Sequence, residues 1–158
     1  MRRKDREITD MQQILSIIDK CKILRLGLFD KDYPYVVLLH YGYEYEENRL
    51  VFYMHSATEG HKLALIADNP RVCVELDCDA ELISGGEIPC MYGSTFASVI
   101  GRGVAEIVSD EKEKIKGLSL LMKHQTDRDF AFTDEMAATV AVIRVTLNDF
   151  TAKSRPKQ

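Results

Sequence analysis

The stretch "FYMHSATEGHKLALI", residues 52–66, changes character abruptly at Ser56. Its first residues are typical of a β-strand, and its last residues carry an apolar helical pattern. Between them, Ser56 and Glu59 have the S-x-x-E spacing of a capping box, which predicts a helix that begins at Ala57. We therefore expect a strand that passes into a helix through a short polar turn.

Two interpretations of this polar turn are open from its residues alone. A helix start presents free backbone N–H groups and the positive end of the helix dipole, so it suits a phosphate. The hydroxyls of Ser56 and Thr58 and the side chains of His61 and Lys62 would bind the same anion. The alternative is an ordinary capped helix with a solvated lysine.

The segments around this stretch indicate a mainly β protein. "YVVLLHYGYEY" (35–45) and "RLVFYMH" (49–55) are rich in β-branched and aromatic residues, and the "EEN" between them predicts a hairpin. Further strands are predicted at 24–28, 71–78, 94–108 and 138–150, with a bulge or a close backbone approach at Gly101 and Gly103. Because a hairpin excludes an all-parallel sheet, the pattern predicts one antiparallel barrel over residues 1–158.

Two longer helices flank the predicted strands. Thr9 and Gln12 have the T-x-x-Q spacing of a capping box, and apolar residues then recur at helical spacing up to Ile18. A second helix is predicted after Ser109 and Asp110, followed by an irregular segment at 125–136.

Composition and charge exclude several classes of protein. The chain has 158 residues, of which 46% are hydrophobic, and its formal net charge is −4. No apolar run is long enough to span a membrane, and the charged N-terminus is no secretory signal, so we expect a cytoplasmic protein. The acidic balance argues against nucleic-acid binding, and the basic residues near the two ends, among them Arg2 and Lys157, are interpreted as solvated tails. The four cysteines form no CxxC pair and are expected to be reduced and mostly buried.

The run from Pro34 to Pro70 resembles the core of the pyridoxamine 5′-phosphate oxidase-like flavoproteins. Their pattern is a strand ending V-L-L-K, a hairpin, F-Y-T-N, an S-R-K phosphate site, a helix and N-P. Here "VLLH" stands at 37–40, "FYMH" at 52–55 and "HK" at 61–62. The chain is most similar to the nitroimidazole-resistance (Nim) branch, which it resembles from end to end through "MRRKDREI", "PYVV", "GY", "HSATEGHK", Cys90 and "SVIGRG".

The resemblance implies an antiparallel split β-barrel of the mainly β (α+β) class, with flanking helices, that binds FMN at a homodimer interface. The FMN phosphate would sit on Ser56, His61 and Lys62, the backbone of 35–38 would run along the isoalloxazine ring, and residues 53–55 would flank the ribityl chain. Ser98 falls where the oxidases carry a flavin-contacting glutamine. The implied cofactor contacts are Tyr35, Val36, Val37, Leu38, Tyr53, Met54, His55, Ser56, His61, Lys62 and Ser98, with no metal site.

The chain departs from the family pattern at three places. His61 stands where an arginine is usual, so one cationic contact becomes dependent on pH. His40 replaces the lysine of V-L-L-K and is interpreted as structural or as part of the dimer face. The chain has no tryptophan, and its C-terminus lacks the substrate segment of the oxidases, so oxidation of pyridoxamine phosphate is not expected.

His55, Cys90 and His124 are further candidates for chemistry. The Nim resemblance implies that His55 contacts the substrate or donates a proton, and the alternative is a structural histidine beside a turn. Cys90 is interpreted as a packing residue rather than a redox thiol, and His124 as a cation at a helix end. The four tyrosines at 35, 41, 43 and 45 are interpreted as core and interface residues.

Two functions of different classes follow from the resemblance. The first is an FMN-dependent oxidoreductase of the Nim type, which reduces a nitroaromatic or another small electron acceptor with NAD(P)H or another reductant. The second is a flavin- or haem-binding module without turnover, acting in storage, sensing or haem handling. A deazaflavin in place of FMN is less favoured, because "HSATEGHK" resembles the FMN branch.

Overall fold

A computed structural model describes residues 3–156, so Arg2 and Lys157 of the basic chain ends lie outside the described residues. The helices are α1 Met11–Lys20, α2 His61–Asp68, α3 Glu111–Thr126 and α4 Asp134–Ala138. The strands are β1 Glu7–Ile8, β2 Ile23–Asp30, β3 Tyr33–His40, β4 Gly42–Glu46, β5 Arg49–Ser56, β6 Arg71–Cys78, β7 Leu82–Ile83, β8 Gly93–Ser94, β9 Phe96–Ile107 and β10 Ala141–Arg155. No helix within residues 3–156 is long and apolar enough to cross a membrane.

Eight of these strands form one antiparallel sheet. Its order is β3-β2-β6-β9-β10-β5-β4, β1 pairs with β10, and β7 and β8 form a separate hairpin. β3 and β4 lie at opposite ends of this order, although only Tyr41 separates them in the chain. The sheet must therefore curl until its two ends meet, which confirms the antiparallel split β-barrel. The single strand predicted over 35–45 is wrong, because the chain leaves one end of the sheet at Tyr41 and joins the other.

Tyr41 fixes the place where the two ends of the sheet meet. Its side chain is fully buried, and its hydroxyl lies 2.7 Å from the carbonyl oxygen of Ile18 and 2.9 Å from that of Cys21. Its ring also packs against Phe52, with 5.3 Å between ring centroids. Burial raises the pKa of Tyr41 above its ordinary value, so the hydroxyl stays protonated and ties the barrel to the end of α1.

Helix α1 closes one side of the barrel interior. Ile14, Ile17 and Ile18 of α1 are buried against the inward-facing side chains of the sheet, as the apolar spacing predicts. The helix is capped by Asp10, whose Oδ1 accepts the N–H of Gln12 at 3.0 Å. The predicted Thr9 cap is therefore displaced by one residue, because the carboxylate of Asp10 is the better placed acceptor.

Helix α3 covers the outer side of β4 and β5. A side chain at Gly42 would collide with the α3 backbone, so the helix and the strand are in direct contact. As predicted, α3 is capped by Asp110, which accepts the N–H of Glu113 at 2.8 Å. The segment expected to be irregular is partly helical, because α3 continues to Thr126 and α4 follows.

The predicted hairpin and the predicted irregularity near the glycines are both confirmed. Glu47 and Asn48 have positive φ angles of 51° and 62° in the turn between β4 and β5. Gly103 of β9 approaches the carbonyl of Thr146 so closely that no side chain fits, and the pairing of β10 with β9 shifts register between Leu147 and Asp149. Only Cys21 among the four cysteines is buried, so the prediction of mostly buried thiols is wrong.

Candidate functional site

The turn between β5 and α2 differs from the predicted capping box. α2 begins at His61 rather than Ala57, and its N-cap is Gly60, which makes no side-chain capping bond. Gly60 has a φ of 146°, a conformation that glycine adopts without strain. The chain therefore passes from β5 to α2 through an irregular turn at 57–60, and the prediction of a helix from Ala57 is wrong.

This turn leaves a series of backbone donors unused. The carbonyl of Gly60 accepts the N–H groups of Leu63 at 3.1 Å and Ala64 at 3.3 Å, which closes the first turn of α2. The N–H groups of residues 58–62 have no acceptor among the described residues. These donors lie at the positive end of the α2 dipole, so they form a site suited to an anion.

Ser56 adds an unsatisfied hydroxyl to the same turn. It is the last residue of β5 and is only 6% exposed. Its Oγ is buried and has no hydrogen-bond partner within residues 3–156. Leaving a buried hydroxyl unpaired costs about 1–3 kcal/mol, so a bound group that pairs with it would stabilise this arrangement.

Lys62 and His61 differ in how they are engaged. Lys62 is half-buried in the first turn of α2, and its ammonium contacts no acceptor in the described part of the chain. His61 Nε2, in contrast, lies 2.6 Å from Asp30 Oδ2, and its ring meets the edge of Tyr35 with 5.1 Å between centroids. Asp30 is absent from the residues predicted from the sequence, because it precedes His61 by 31 residues and no local motif connects them.

The predicted ring-contacting strand, β3, presents apolar side chains to solvent. Val36 is 61% exposed and Leu38 is 65% exposed, while Tyr35 and Val37 point inward and are half-buried. Val36 also borders a wide groove of about 860 Å³ on the outer face of the sheet, which we call the outer groove. Its walls include Phe29, Val36, Arg71, Arg102 and Val104.

The side chains of Tyr53 and Met54 point away from any surface. Both are buried, and the Tyr53 hydroxyl donates to Glu44 Oε1 at 3.1 Å beneath α3. Burial raises the pKa of Tyr53, with Glu44 as a further cause, so this hydroxyl stays neutral. A cofactor beside 53–55 would therefore contact the backbone of these two residues.

His55 and Ser98 lie in different surroundings. His55 is exposed on the same strand face as Tyr53, and no described residue hydrogen-bonds its ring. Ser98 is buried on β9, opposite Asp77 of β6, at the end of the sheet away from Asp30 and His61. Within a single chain, four of the predicted contacts lie around the turn between β5 and α2, namely Tyr35, Ser56, His61 and Lys62. Ser98 lies remote from them.

The other two histidines make structural contacts. His124 Nε2 lies 2.8 Å from the carbonyl oxygen of Cys21, and its ring packs on Tyr41 with 4.6 Å between centroids. Burial lowers the pKa of His124, so the interpretation of this residue as a cation at a helix end is wrong. His40 Nδ1 lies 3.1 Å from the carbonyl oxygen of Lys22, in agreement with a structural role.

Comparisons with known proteins agree with this architecture. A family model described as pyridoxamine 5′-phosphate oxidase matches residues 10–154. No curated protein matches the sequence. The solved structure of a candidate 5-nitroimidazole antibiotic resistance protein from Bacteroides thetaiotaomicron VPI-5482 is 31% identical, with a TM-score of 0.80 over 94% of this chain and 86% of that one.

Two more distant structures share the fold. The flavocytochrome Anf3 from Azotobacter vinelandii is 19% identical, with a TM-score of 0.78 over 99% of this chain and 72% of that one. The FAD and heme binding protein from Mycobacterium smegmatis is 14% identical, with a TM-score of 0.79 over 96% of this chain and 74% of that one.

Proposed function

The chain belongs to the pyridoxamine 5′-phosphate oxidase family, and on this premise we propose that it is an FMN-dependent oxidoreductase of the nitroimidazole-resistance type. Its substrate would be a nitroaromatic or another small electron acceptor. When bound, FMN supplies the transfer of electrons, while the protein supplies binding, orientation and local electrostatics.

The observation that carries this proposal is the turn between β5 and α2. Its N–H groups, the Oγ of Ser56 and the ammonium of Lys62 have no partner within residues 3–156, and all of them favour a bound anion. A terminal phosphate provides acceptor oxygens for each of these donors, so the residues present fit the phosphate of FMN. In an ordinary capped helix a side chain at the N-cap accepts one of these N–H groups, whereas Gly60 makes no such bond and the buried Oγ of Ser56 has no partner within residues 3–156.

His61 contributes less to this proposed phosphate site than Lys62 does. Its Nε2 is already bonded to Asp30 Oδ2, so the imidazole is held in one orientation. A protonated His61 would also offset the repulsion between the Asp30 carboxylate and a phosphate. We therefore assign the main cationic contact to Lys62 and an orienting contact to His61.

The outer groove and β3 support a homodimer with the flavin between its subunits. Val36, Leu38 and Phe29 leave a large apolar area exposed in one chain, and monomeric proteins rarely leave such an area uncovered. A second copy that covers this face would exclude water from the flat apolar surface of β3. This proposal accounts for the exposed side chains without requiring a further protein.

His55 is the residue proposed to assist the chemistry. Its ring is exposed and has no partner among the described residues, so it is free to bond a nitro or carboxylate oxygen of the acceptor. It can then deliver a proton while the acceptor gains electrons, which is the role of a general acid. If His55 had a structural role instead, its ring would form a hydrogen bond with the turn. No residue within 3–156 forms a hydrogen bond with the ring.

The alternative function is a flavin- or haem-binding module without turnover. The names of the two distant structures mention flavin, FAD or heme, and at their low identities they share only the fold with this chain. A spectrum separates the alternatives, because haem gives a Soret band and FMN gives the absorbance of an oxidised flavin.

Stopped-flow spectroscopy of the purified protein tests the proposed activity. We expect NAD(P)H or dithionite to bleach the flavin absorbance, and a nitroimidazole to restore it under anaerobic conditions. A buffer-only injection controls for residual oxygen. A bound flavin that is reduced but is not reoxidised by any nitroaromatic would contradict the proposed substrate class.

A further inference from the structure

The described residues of the two basic chain ends meet in the folded protein instead of forming separate solvated tails. β1 pairs with the end of β10, so that Glu7 lies opposite Lys153. The pairing of β10 with β9 continues as far as Arg155, which lies opposite Phe96. Residues from both ends of the sequence therefore surround the start of β9, at one end of the barrel.

Three basic residues, Arg6, Lys153 and Arg155, lie around Phe96, and we call them the basic cluster. The guanidinium carbon of Arg6 lies 5.9 Å from the centroid of the Phe96 ring, and Lys153 Nζ lies 5.4 Å from it. Arg155 is the strand partner of Phe96. All three basic residues are half-buried, and their side chains form no ion pair within residues 3–156.

The acidic residues nearest in the chain do not neutralise the basic cluster. Asp5 is bound to Arg3, with 2.6 Å between Oδ2 and Nη2. Glu7 forms no ion pair in the described part of the chain. Three like charges that are gathered without counter-ions repel one another and create a positive potential around them. The basic cluster is therefore suited to an anion.

A cavity of about 650 Å³, which we call the end cavity, opens beside the basic cluster. Ile8, Ile17 and Ala97 form an apolar part of its wall, and Phe96 and Arg155 line it as well. Pockets that bind small molecules measure about 300–1,000 Å³ and combine an apolar wall with a few polar groups. The end cavity therefore fits a small molecule with an apolar body and an anionic group.

Gly93 leaves the space that the guanidinium of Arg155 occupies. A Cβ at Gly93 would lie 2.6 Å from Arg155 Nη1 and 3.1 Å from Cζ, so a side chain there would displace the guanidinium. The guanidinium is therefore held close to the Gly93 backbone. The planar fork of an arginine binds both oxygens of a carboxylate at once, which makes a carboxylate the anion that suits Arg155.

Two acidic residues limit the charge of the ligand. Asp79 and Glu81 also line the end cavity, and Asp79 Oδ1 lies 2.5 Å from Lys20 Nζ. Carboxylates in the wall repel a ligand with two negative charges more strongly than a ligand with one. A monocarboxylate is therefore favoured over a phosphate.

We propose that the end cavity is a binding site for a small aromatic monocarboxylate. The carboxylate binds the guanidinium of Arg155, and the aromatic ring lies on the apolar wall, where Phe96 offers a second ring for edge or offset contact. Arg6 and Lys153 act from a distance, because they contact Phe96 and do not line the cavity. The inference does not rest on the proposed flavin site, since none of these residues belongs to the turn at 56–62.

Fluorine NMR of 4-fluorobenzoate tests the proposal on the purified full-length protein. We expect the protein to broaden the signal of this probe, and to broaden that of the uncharged 4-fluorobenzyl alcohol much less. Excess FMN and inorganic phosphate should not displace 4-fluorobenzoate. Displacement by FMN would assign the probe to the flavin site and overturn the proposal. These measurements use the unmodified chain, so they do not depend on the folding of any variant.

Substitutions at the assigned contact complete the test. Arg155→Gln should raise the dissociation constant of 4-fluorobenzoate at least about tenfold, because a charge-assisted contact is lost. Gly93→Val should also weaken binding, since it displaces the guanidinium but keeps its charge. The control is Lys112→Gln, which removes a charge from the exposed surface of α3 and should leave binding unchanged. Unchanged binding in Arg155→Gln, equal broadening of the two probes, or no broadening by the unmodified protein would overturn the proposal.

Discussion

Lys62→Ala is the substitution that most directly perturbs the proposed phosphate site. Lys62 is half-buried at the start of α2, and its ammonium has no competing partner among residues 3–156. Its whole charge is therefore available to a bound phosphate. Removing it should weaken FMN binding and leave the fold intact, because no intramolecular contact of the ammonium is lost.

The expected loss follows from the kind of bond removed. A charge-assisted hydrogen bond contributes about 1.5–3 kcal/mol, which corresponds to about a 10- to 150-fold change in the dissociation constant. His61→Ala should have a smaller effect, because Nε2 is engaged with Asp30.

Titration of the apoprotein with FMN, followed by quenching of the flavin fluorescence, measures both variants. Lys112→Ala is the control, since Lys112 is an exposed lysine on α3 away from the turn. We expect Lys112→Ala to bind as the unmodified protein does. An unchanged affinity in Lys62→Ala, with the control also unchanged, would refute the assignment of the phosphate to this turn.

Three further predictions follow from the same structure. His55→Ala should keep FMN but be reoxidised by a nitroaromatic about 10²–10⁴-fold more slowly in stopped flow, and a parallel loss of FMN would identify His55 as structural. Val36→Asp should place a charge on the apolar face of β3, so light scattering should report a monomer that has lost FMN; a monomer with full FMN occupancy would contradict the shared site. His124, whose pKa is lowered by burial, should make the protein less stable as pH falls below about 6.5, because the unfolded chain then binds the proton more readily. The melting temperature of His124→Gln should therefore depend less on pH over that range than that of the unmodified protein. The same dependence of melting temperature on pH in both proteins would exclude His124 as the cause.

The local elements of the fold are predictable from the sequence because periodicity and capping residues are local signals. The hairpin at Glu47 and Asn48 and the start of α3 at Asp110 are examples. The break at Tyr41 is not predictable in this way, because β-forming residues continue through it. Only closure of the barrel requires the chain to change from one end of the sheet to the other at that residue.

The candidate site shows the same division between local and tertiary information. The spacing of Ser56 and Glu59 fits a capping box, yet the positive φ of Gly60 moves the helix start to His61. The contact between His61 and Asp30 joins residues that share no motif and meet only in the folded barrel. Burial, which lowers the pKa of His124, is likewise a property of the packed structure.

The central claim is that the turn at 56–62 holds the phosphate of FMN. Calorimetric titration of the apoprotein with FMN and with riboflavin, which lacks the phosphate, tests it most directly. We predict one FMN bound per chain, at least about 100-fold more tightly than riboflavin, because two charge-assisted bonds are worth about 3 kcal/mol or more. Equal affinity for FMN and riboflavin, or no binding of either flavin, would contradict the account.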